Sequence, residues 1–347
     1  MTVWIDICHI PQYNFYRNLI LKLAAEGHKV LVTVLDRGKT PKIIWHELGG
    51  VEGVELFVVG KHRMKKWSAV LEANCLRILK LLWWARNKHI NIALSNCMAA
   101  MVIGWLLRIP RYSFDDDPQT MDFLPKKWCS LESNYCLYED AKTAQAGGTV
   151  RVLKCLKEWA YLAPNVFVPN PRALDKYGVR PKEYLFLREV SVGTVNYVGQ
   201  KRGAILHVKD LIPKDKKVLF SLEEKHRRDE YPADWILLQE PIEDIHSLIY
   251  YSAGLASSGD SMAREAAMLG VPAYYLGIRH TMPANRAAAQ VAGLQNEETM
   301  SFSDWTKTLN VTPAEAEQRQ RTLREQISHY FIDINAYMLA LVHNIVH

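Results

Sequence analysis

The stretch Ala256–Ala266, with the sequence ASSGDSMAREA, is the part of the chain whose residue types point most directly to chemistry. It has the pattern of a strand, a loop of small residues and a helix start. Backbone N–H groups and the positive dipole end at a helix start favour an anion such as phosphate. The Glu265 carboxylate, one turn later, can accept hydrogen bonds from ribose hydroxyls. The alternative is an ordinary capped helix with Ser258 or Asp260 at the N-cap, and the Asp260 carboxylate opposes an anion.

A second group of polar side chains follows the first apolar run of the chain. It comprises Asp6, Cys8, His9, Gln12 and Asn14. Polar groups between a buried strand and a helix are expected at the mouth of a ligand cleft, where a histidine can act as acid or base. A hydrogen-bonded turn with a helix cap explains the same residues. The glycine-rich GxGxxG fingerprint is absent here, which argues against NAD or FAD chemistry and predicts no bound cofactor.

Three adjacent carboxylates, Asp115 to Asp117, follow another strand signal. Because like charges repel, one of them can hold a raised pKa or bind a cation. Asp115 or Asp116 is therefore a candidate base, whereas Asp117 before Pro118 fits a turn. A metal site needs more ligands than this run can aim at one point, so no metal is expected.

A basic cluster, Lys61–Trp67, leads into a stretch rich in leucine and tryptophan that extends to Arg86. Positive charge beside apolar area is typical of a surface that touches an anionic membrane. Packing of Trp83 and Trp84 against a sheet is the alternative.

The elements that must position these groups alternate between strand and helix. In the first half, the hydrophobic patterns predict strands at 3–7, 30–35, 54–59, 90–95, 112–114 and 135–138, and helices at 14–28, 41–48, 65–87 and 98–108. In the second half they predict strands at 184–187, 218–222, 235–239, 254–257 and 273–276, helices at 245–251, 261–269 and 285–291, and a helical stretch over 313–346.

This alternation predicts an α/β protein with two Rossmann-like, doubly wound domains that face a central cleft. Prolines at 164, 169 and 171 mark the junction. The predicted domains are 1–164, 165–312 and a C-terminal helical segment, 313–347, for which packing back on the N-terminal domain is one arrangement. A length of 347 residues agrees with two domains.

Composition excludes several classes of protein. Hydrophobic residues make up 49% and charged residues 23%, which is unlike a disordered or collagenous chain. The formal net charge is +6, and the excess of basic residues lies in 1–164. The six cysteines form no CxxC pair, so reduced buried thiols in a cytoplasmic protein are expected. We expect no signal peptide, no membrane span and no nucleic-acid partner.

Several segments together resemble a known family. They are Trp4–Ile7, Phe15–Ile20, Gly27–Thr33, Lys157–Asn165, Tyr184–Arg188 and, most clearly, Met262–Ala273. Their types and order resemble the uncharacterised DUF354 family. That family is similar to the GT-B superfamily of glycosyltransferases and to non-hydrolysing UDP-N-acetylglucosamine 2-epimerases.

The resemblance implies that the second domain holds a nucleotide sugar and that the first holds the acceptor or the reacting sugar. It implies that Ser258, Gly259 and Ser261 lie beside the diphosphate, Glu265 near the ribose, and Arg188 within reach of a phosphate. The Asp115–Asp116 turn is expected to face the cleft. The chain departs from the family at Asp260 and where Gln12 and Asn14 replace histidines.

The sequence therefore favours a metal-independent glycosyltransferase that uses a nucleotide sugar in surface polysaccharide or glycolipid assembly. An epimerase of UDP-sugars and a non-catalytic nucleotide-sugar-binding protein are the alternatives. A lipid-linked or polysaccharide acceptor and peripheral membrane contact through the basic N-terminal domain are expected. The candidate catalytic residues are His9, Asp115 and Asp116. The candidate substrate-binding residues are Asp6, Gln12, Asn14, Arg188, Ser221, Ser257, Ser258, Gly259, Ser261, Met262, Arg264 and Glu265.

Overall fold

The computed structural model describes residues 1–62, 72, 76–115, 131–134, 150–192, 199–239, 242 and 244–344. The strands are β1 (Thr2–Ile7), β2 (Lys29–Asp36), β3 (Val54–Lys61), β4 (Ile92–Ser95), β5 (Arg111–Asp115), β6 (Leu131–Asn134), β7 (Val150–Val152), β8 (Tyr184–Glu189), β9 (Lys217–Leu222), β10 (Ile236–Leu237), β11 (Gly254–Ser257) and β12 (Ala273–Tyr275). All of their pairings are parallel.

The α-helices are α1 (Ile10–Ala25), α2 (Thr40–Leu48), α3 (Arg77–Ala85), α4 (Met98–Leu106), α5 (Trp159–Leu162), α6 (Ala204–Val208), α7 (Ile245–Tyr250), α8 (Asp260–Met268), α9 (Pro283–Ala292), α10 (Phe302–Thr308), α11 (Pro313–Tyr330) and α12 (Ile334–His343). Short 3₁₀ helices cover Pro171–Tyr177, Lys209–Leu211 and Lys225–Glu230. None of the described helices combines the length and apolar character that a membrane span requires.

The chain divides into two compact units. Unit 1 comprises Met1–Tyr161 and Ile332–His347, and unit 2 comprises Leu162–Phe331. In unit 1 the described strands form a sheet in the order β3-β2-β1-β4-β5-β6-β7, and in unit 2 the order is β10-β9-β8-β11-β12. Two parallel sheets with helices are the α/β architecture that the alternating sequence pattern predicts.

Unit 1 is built around β1, whose residues from Val3 to Ile7 are fully buried. Helix α1 begins with Pro11 in its first turn and is followed by Gly27 at a φ of +79°, a left-handed conformation that glycine adopts at little cost. Trp4 and Leu31 pack with Leu81, Ile103 and other apolar side chains in one cluster. Buried strands flanked by helices on the sheet faces thus fix the carboxyl end of β1.

Unit 2 has its own core, in which Phe220, Tyr231 and Trp235 form a compact aromatic group. Helix α8, which follows β11 directly, buries Ala263, Ala266, Ala267 and Met268. Helix α11 begins with a capping box between Thr312 and Glu315. The buried face of α8 fixes the position of the helix that follows the loop between β11 and α8.

Three expectations about elements are corrected or delimited. The helical stretch over 313–346 is interrupted at residues 331–333, because Asp333 caps the start of α12 with its own side chain. The strand expected at 135–138 lies outside the described residues, and the structure instead has β6 at 131–134. Of the helix expected over 65–87, the structure describes α3, Glu72 and Leu76, and residues 63–71 and 73–75 lie outside the description.

Candidate functional site

The order of strands in unit 2 identifies one edge of its sheet as the candidate site. Strand β8 has β9 on one side and β11 on the other, so the chain reverses its direction of winding between them. In open parallel sheets, ligands bind outside the carboxyl ends of the strands at such a switch point. The relevant groups are therefore those that follow β8 and β11.

Three predicted residues lie side by side across this edge. Arg188 on β8 is in register with Ser221 on β9 and with Ser257 on β11. Arg188 Nη1 donates to Ser221 Oγ at 2.6 Å, and Nη2 pairs with the Glu223 carboxylate. The guanidinium is thus held in place at the carboxyl ends of the strands, with a small part of it open to solvent.

The loop between β11 and α8 is tied down by its own serines. Ser257 Oγ accepts the Gly259 N–H at 2.9 Å. The Ser258 N–H donates to the Arg188 carbonyl at 3.0 Å, and Ser258 Oγ accepts the Val190 N–H at 2.9 Å. Both serines are fully buried, so their hydroxyls shape the loop and are not presented to a ligand.

Asp260 is the first residue of α8, and its side chain accepts a hydrogen bond from another backbone amide. Its Oδ1 accepts the Ser261 N–H at 2.9 Å, and its Oδ2 lies 3.1 Å from Arg279 Nη1 and 3.6 Å from Arg264 Nη1. Arg264 is 1% exposed and also donates to Asn285 at 2.7 Å. The Ser258, Gly259 and Ser261 N–H groups are therefore not free for an anion, as the predicted anion site requires, because they donate to Arg188 on β8, to Ser257 and to Asp260.

Pairing with two guanidinium groups changes the electrostatics of Asp260. A lone carboxylate would repel a diphosphate, but this one is compensated by two positive charges. Ser261 and Met262, in the first turn of α8, are half-buried, and the Arg279 side chain is 24% exposed. Ser261 and Met262 at the helix start, and Arg279 beside Asp260, are therefore partly accessible to solvent.

Glu265 lies one turn further along α8 and is 7% exposed. Its Oε1 is 3.4 Å from Nε2 of His246 on α7. The backbone of the loop is also held by Gln200, whose Nε2 donates to the Ser258 carbonyl at 3.0 Å. Glu265 is thus largely buried one turn beyond the helix start, with His246 beside it, and its contact with a ribose stays a prediction.

Sequence reasoning missed Arg279, His246 and Gln200. Arg279 follows the carboxyl end of β12 by four residues, and a basic residue at that position was an available signal. The Arg279 N–H donates to the Tyr275 hydroxyl at 3.2 Å. Burial, with a contribution from Asp260, raises the pKa of Tyr275 to about 12, so this phenol stays protonated. His246 and Gln200 are brought to the site by tertiary packing alone.

Unit 1 has a corresponding switch point, since β1 lies between β2 and β4. Asp6 is in register with Thr33 and Ser95. The fully buried Asp6 carboxylate accepts hydrogen bonds from Arg77 Nη1 at 3.0 Å, Arg77 Nη2 at 2.6 Å and Thr33 Oγ1 at 2.6 Å. The hydrogen-bonding capacity of this carboxylate is used inside the unit, and it presents no open face to a substrate.

His9, Gln12 and Asn14 lie around the start of α1, at the carboxyl end of β1. His9 occupies the N-cap position with a partly exposed side chain, and Asn14 is half-buried. Gln12 is 8% exposed, and its Oε1 accepts the Cys8 N–H at 2.8 Å. His9 and Asn14 thus remain accessible, whereas Gln12 holds the loop.

The expectation of reduced thiols is corrected at this loop. Cys8, after β1, and Cys97, at the N-cap of α4, form a disulfide across the unit 1 switch point. Cys155 is a free, buried thiol, and burial raises its pKa well above the usual range. The spacing of 89 residues carries no CxxC-type signal, because the two strand ends meet only in the folded sheet.

Two predicted features are only partly described. Asp115 is the last residue of β5 and pairs in register with Asn134, and Asp116 lies outside the described residues. Of the basic cluster at 61–67, only Lys61 and His62 lie within the described part of the chain.

Two groups of metal-ligand side chains occur among the described residues. The first group, Asp6 with Cys8 and Cys97, is not available to a metal ion, since Asp6 forms an ion pair with Arg77 and the two cysteines form a disulfide with each other. The second, Glu26 with His28 and His343, lies away from both switch points.

Comparison with known proteins adds a resemblance to a family over part of the chain, and a fold. The sequence model of DUF354, described as a protein of unknown function, matches residues 1–113. The first 113 residues resemble DUF354. The resemblance expected from the sequence is thereby confirmed for this part of the chain. No curated protein matches the sequence.

Solved structures of low sequence identity share the fold over nearly the whole chain. A Listeria monocytogenes protein provisionally assigned as a UDP-N-acetylglucosamine 2-epimerase has a TM-score of 0.67 at 12% identity, covering 97% of this chain and 94% of its own. The spinosyn rhamnosyltransferase complexed with thymidine diphosphate has a TM-score of 0.62 at 15% identity, covering all of both chains. The Neisseria meningitidis UDP-GlcNAc 2-epimerase bound to UDP-GlcNAc has a TM-score of 0.59 at 14% identity, covering 95% of this chain and 100% of its own. The fold class is that of GT-B glycosyltransferases and these epimerases.

Proposed function

We propose that this chain is a GT-B-type glycosyltransferase that uses a nucleotide sugar and acts in the assembly of surface polysaccharide or glycolipid. The observation that carries the proposal is the unit 2 switch point, where Arg188 is fixed between two in-register serines and α8 begins immediately after β11. The shared fold supports it, since two of the proteins described above were solved with a nucleotide or a nucleotide sugar.

In the proposed site, the diphosphate lies against the first turn of α8. Ser261 and Met262 lie in this first turn, where the positive end of the helix dipole favours an anion, and Arg279 supplies an accessible positive charge. Arg188 adds a second guanidinium at the strand ends. Positive groups fixed in advance stabilise the charge that develops on the leaving nucleoside diphosphate, so the transfer needs no bound metal. Glu265 is proposed to accept hydrogen bonds from the ribose.

Unit 1 is proposed to hold the acceptor. His9, at the carboxyl end of β1, is the candidate base for the acceptor hydroxyl, and Asp115 is the alternative. A histidine is suited to this step because its pKa lies near neutral pH when unperturbed.

Release of nucleoside diphosphate tests the proposal. A panel of nucleotide sugars is incubated with the protein, with and without a lipid and polysaccharide extract as acceptor. Transfer predicts release of diphosphate that depends on the extract and is lost in His9→Ala, and His46→Ala on the exposed face of α2 is the matched control. Release that requires no acceptor, or equal activity of His9→Ala and His46→Ala, contradicts the proposed roles.

An epimerase is the second candidate, because the TM-score of 0.67 to the Listeria protein exceeds the 0.62 to the rhamnosyltransferase. An epimerase removes and returns a carbon-bound sugar hydrogen, which a transferase does not do. Incubation with UDP-N-acetylglucosamine in deuterium oxide therefore separates the two functions. Deuterium on the sugar ring supports the epimerase. Binding without either reaction supports a non-catalytic nucleotide-sugar-binding protein.

Contact with an anionic lipid bilayer is proposed for a surface of unit 1, which we call the α3–α4 surface. Leu76, which directly precedes α3, and Leu79 and Trp83 on α3 are 42%, 61% and 70% exposed, at a spacing that places them on one face. The neighbouring α4 exposes Trp105 and Leu106.

Basic side chains accompany this apolar area. Lys80, Arg86 and Arg108 are exposed on and beside the same two helices. The excess of basic residues in 1–164 has the sign that an anionic lipid surface attracts. Aromatic rings beside positive charge are typical of peripheral membrane contact.

Vesicle co-sedimentation tests this contact. Wild-type protein is expected to sediment with phosphatidylglycerol-containing vesicles and not with neutral ones, and the double variant Leu79→Ser/Trp83→Ser is expected to remain in solution. Trp45→Ser, which removes a tryptophan that is 49% exposed from α2, is the control. Equal sedimentation of the double variant and the control contradicts the assignment of the α3–α4 surface.

A further inference from the structure

Three potential metal ligands from three elements converge on one side of unit 1, away from the switch point. Glu26 follows the last turn of α1, His28 precedes β2, and His343 ends α12. His343 Nε2 lies 2.9 Å from Glu26 Oε2, and His28 Nε2 lies 3.8 Å from the same oxygen. All three ligand atoms lie within 4.8 Å of one another.

These separations suit a small tetrahedral ion. With bonds of about 2.0–2.1 Å, two ligands of a tetrahedral Zn²⁺ lie about 3.3 Å apart. The observed contacts of 2.9 and 3.8 Å fall on either side of that value. Two imidazoles and one carboxylate are a donor set that Zn²⁺ accepts, and divalent Ni and Cu ions favour imidazole as well.

The backbone positions of the three residues are fixed by packing and hydrogen bonds. The Glu26 N–H donates to the Lys22 carbonyl and the His28 N–H donates to the Leu23 carbonyl, each at 3.0 Å. Helix α12 packs against α1 and buries Met338 and Val342. The His28 Nδ1 atom lies 3.3 Å from the backbone nitrogen of Met1, and Nε2 of the same ring lies 3.8 Å from Glu26 Oε2.

The side chains differ in how open they are to solvent. The His28 side chain is 19% exposed, while Glu26 and His343 are 38% and 45% exposed. An ion can therefore reach the cluster from solvent, and small rotations of the two more exposed side chains can adjust the ligand distances. Three protein ligands leave a fourth tetrahedral position for water or an exogenous group.

We propose that Glu26, His28 and His343 form a Zn²⁺-binding site that fastens α12 to the end of α1 and the start of β2. The inference is independent of the proposed sugar transfer, because the cluster lies outside both switch points. An ion bound at the junction of three elements stabilises the folded unit by mass action, in proportion to the logarithm of its concentration above Kd. The site thus connects α12 to the turn between α1 and β2.

Calorimetric titration of Zn²⁺ into the full chain tests the site. The protein is prepared without a polyhistidine tag, treated with a chelator and dialysed. One Zn²⁺ per chain is expected, together with a rise in Tm. The variant His343→Ala is expected to weaken binding by more than about 100-fold, since even a residue that only supports a metal ligand is worth about 10- to 100-fold.

Two further variants complete the design. Glu26→Gln keeps the size of the side chain but removes its charge, and is also expected to lose the Zn²⁺-dependent rise in Tm. His46→Ala, which removes an exposed histidine from α2, is expected to bind as the wild type does. Circular dichroism without metal establishes that the variants are folded.

Several outcomes overturn the proposal. They are the absence of saturable Zn²⁺ binding by the wild type, and equal affinity in His343→Ala and His46→Ala. Zn²⁺ binding that survives in His343→Ala but is abolished by alkylation of reduced protein assigns the ion to cysteines and likewise overturns it.

Discussion

The buried pair of Asp6 and Arg77 offers the sharpest test of how unit 1 is held together. Asp6 is fully buried, Arg77 is 3% exposed, and the two side chains share two hydrogen bonds at 2.6 and 3.0 Å. Arg77 Nε donates in addition to the Val59 carbonyl at 3.0 Å. Replacing Asp6 by Asn leaves a buried guanidinium without a compensating charge.

Breaking such a pair from one side costs about 3–5 kcal/mol of unfolding free energy. For a unit of this size, 1 kcal/mol corresponds to about 2–4 °C in Tm, so Asp6→Asn is expected to lower the Tm of unit 1 by about 10 °C. Replacing both partners by apolar residues removes both charges together. The double variant Asp6→Leu/Arg77→Met is therefore expected to recover most of the lost stability.

Thermal and urea unfolding followed by tryptophan fluorescence provide the assay. Trp4 reports on this region, because its indole N–H donates to Thr33 Oγ1, which in turn donates to Asp6. A loss below about 1 kcal/mol in Asp6→Asn refutes the reasoning, as does a double variant whose loss equals the sum of the single losses. A selective loss of ligand binding at unchanged Tm returns Asp6 to the candidate binding residues.

Three further predictions concern stability. Burial lowers the pKa of Lys182 to about 7, below its unfolded value of 10.5, so the unfolded chain binds more protons between these pH values and stability rises with pH there. Relative to Lys182→Met, the unfolding free energy of the wild type, measured with urea, is expected to rise by about 2 kcal/mol between pH 7 and 9. A difference in unfolding free energy between the two proteins that does not change with pH contradicts this. Gly60 has a φ of +82°, and a Cβ there would lie 2.8 Å from Arg77 Cδ, so Gly60→Ala is expected to cost about 1–3 kcal/mol. An unchanged urea midpoint in that variant contradicts the close approach. Thr312→Ala removes the capping box of α11 and is expected to cost about 1 kcal/mol, with Thr322→Ala on the exposed face as the control.

Much of the fold was predictable because hydrophobic patterns are local. The strands at the start of the chain, the Gly27 that ends α1 and the helix after Ser257 follow from residue spacing alone. The break between α11 and α12 was missed because the stretch stays helical in composition, and the cap by Asp333 is visible only in three dimensions. Arg77 looks like a surface residue in the sequence, and its burial depends on Asp6, which is 71 positions away.

The candidate site was predictable at the level of its loops but not of its hydrogen bonds. The sequence places Arg188 and Ser257 at strand ends, yet their shared register with Ser221 depends on a strand order that no local pattern encodes. The pairing of Asp260 with Arg279 depends in the same way on the loop after β12. Local sequence patterns therefore predicted the turn between β11 and α8, and tertiary structure determined which of its groups already have hydrogen-bond partners.

The most direct test of the central claim is calorimetric titration of uridine and thymidine diphosphate into the wild type and three variants. Binding to the wild type is expected, with affinity about tenfold or more lower in Arg279→Ala and in Glu265→Ala, since a hydrogen bond to a charged group contributes about 1.5–3 kcal/mol. Arg319→Ala is the control, because this exposed arginine lines a cavity beside Lys182, Ala253 and Pro272, at the opposite, amino ends of the strands. The control is expected to bind both diphosphates as the wild type does. Equal affinities in all four proteins, or no binding by any of them, contradict a nucleotide site at the start of α8.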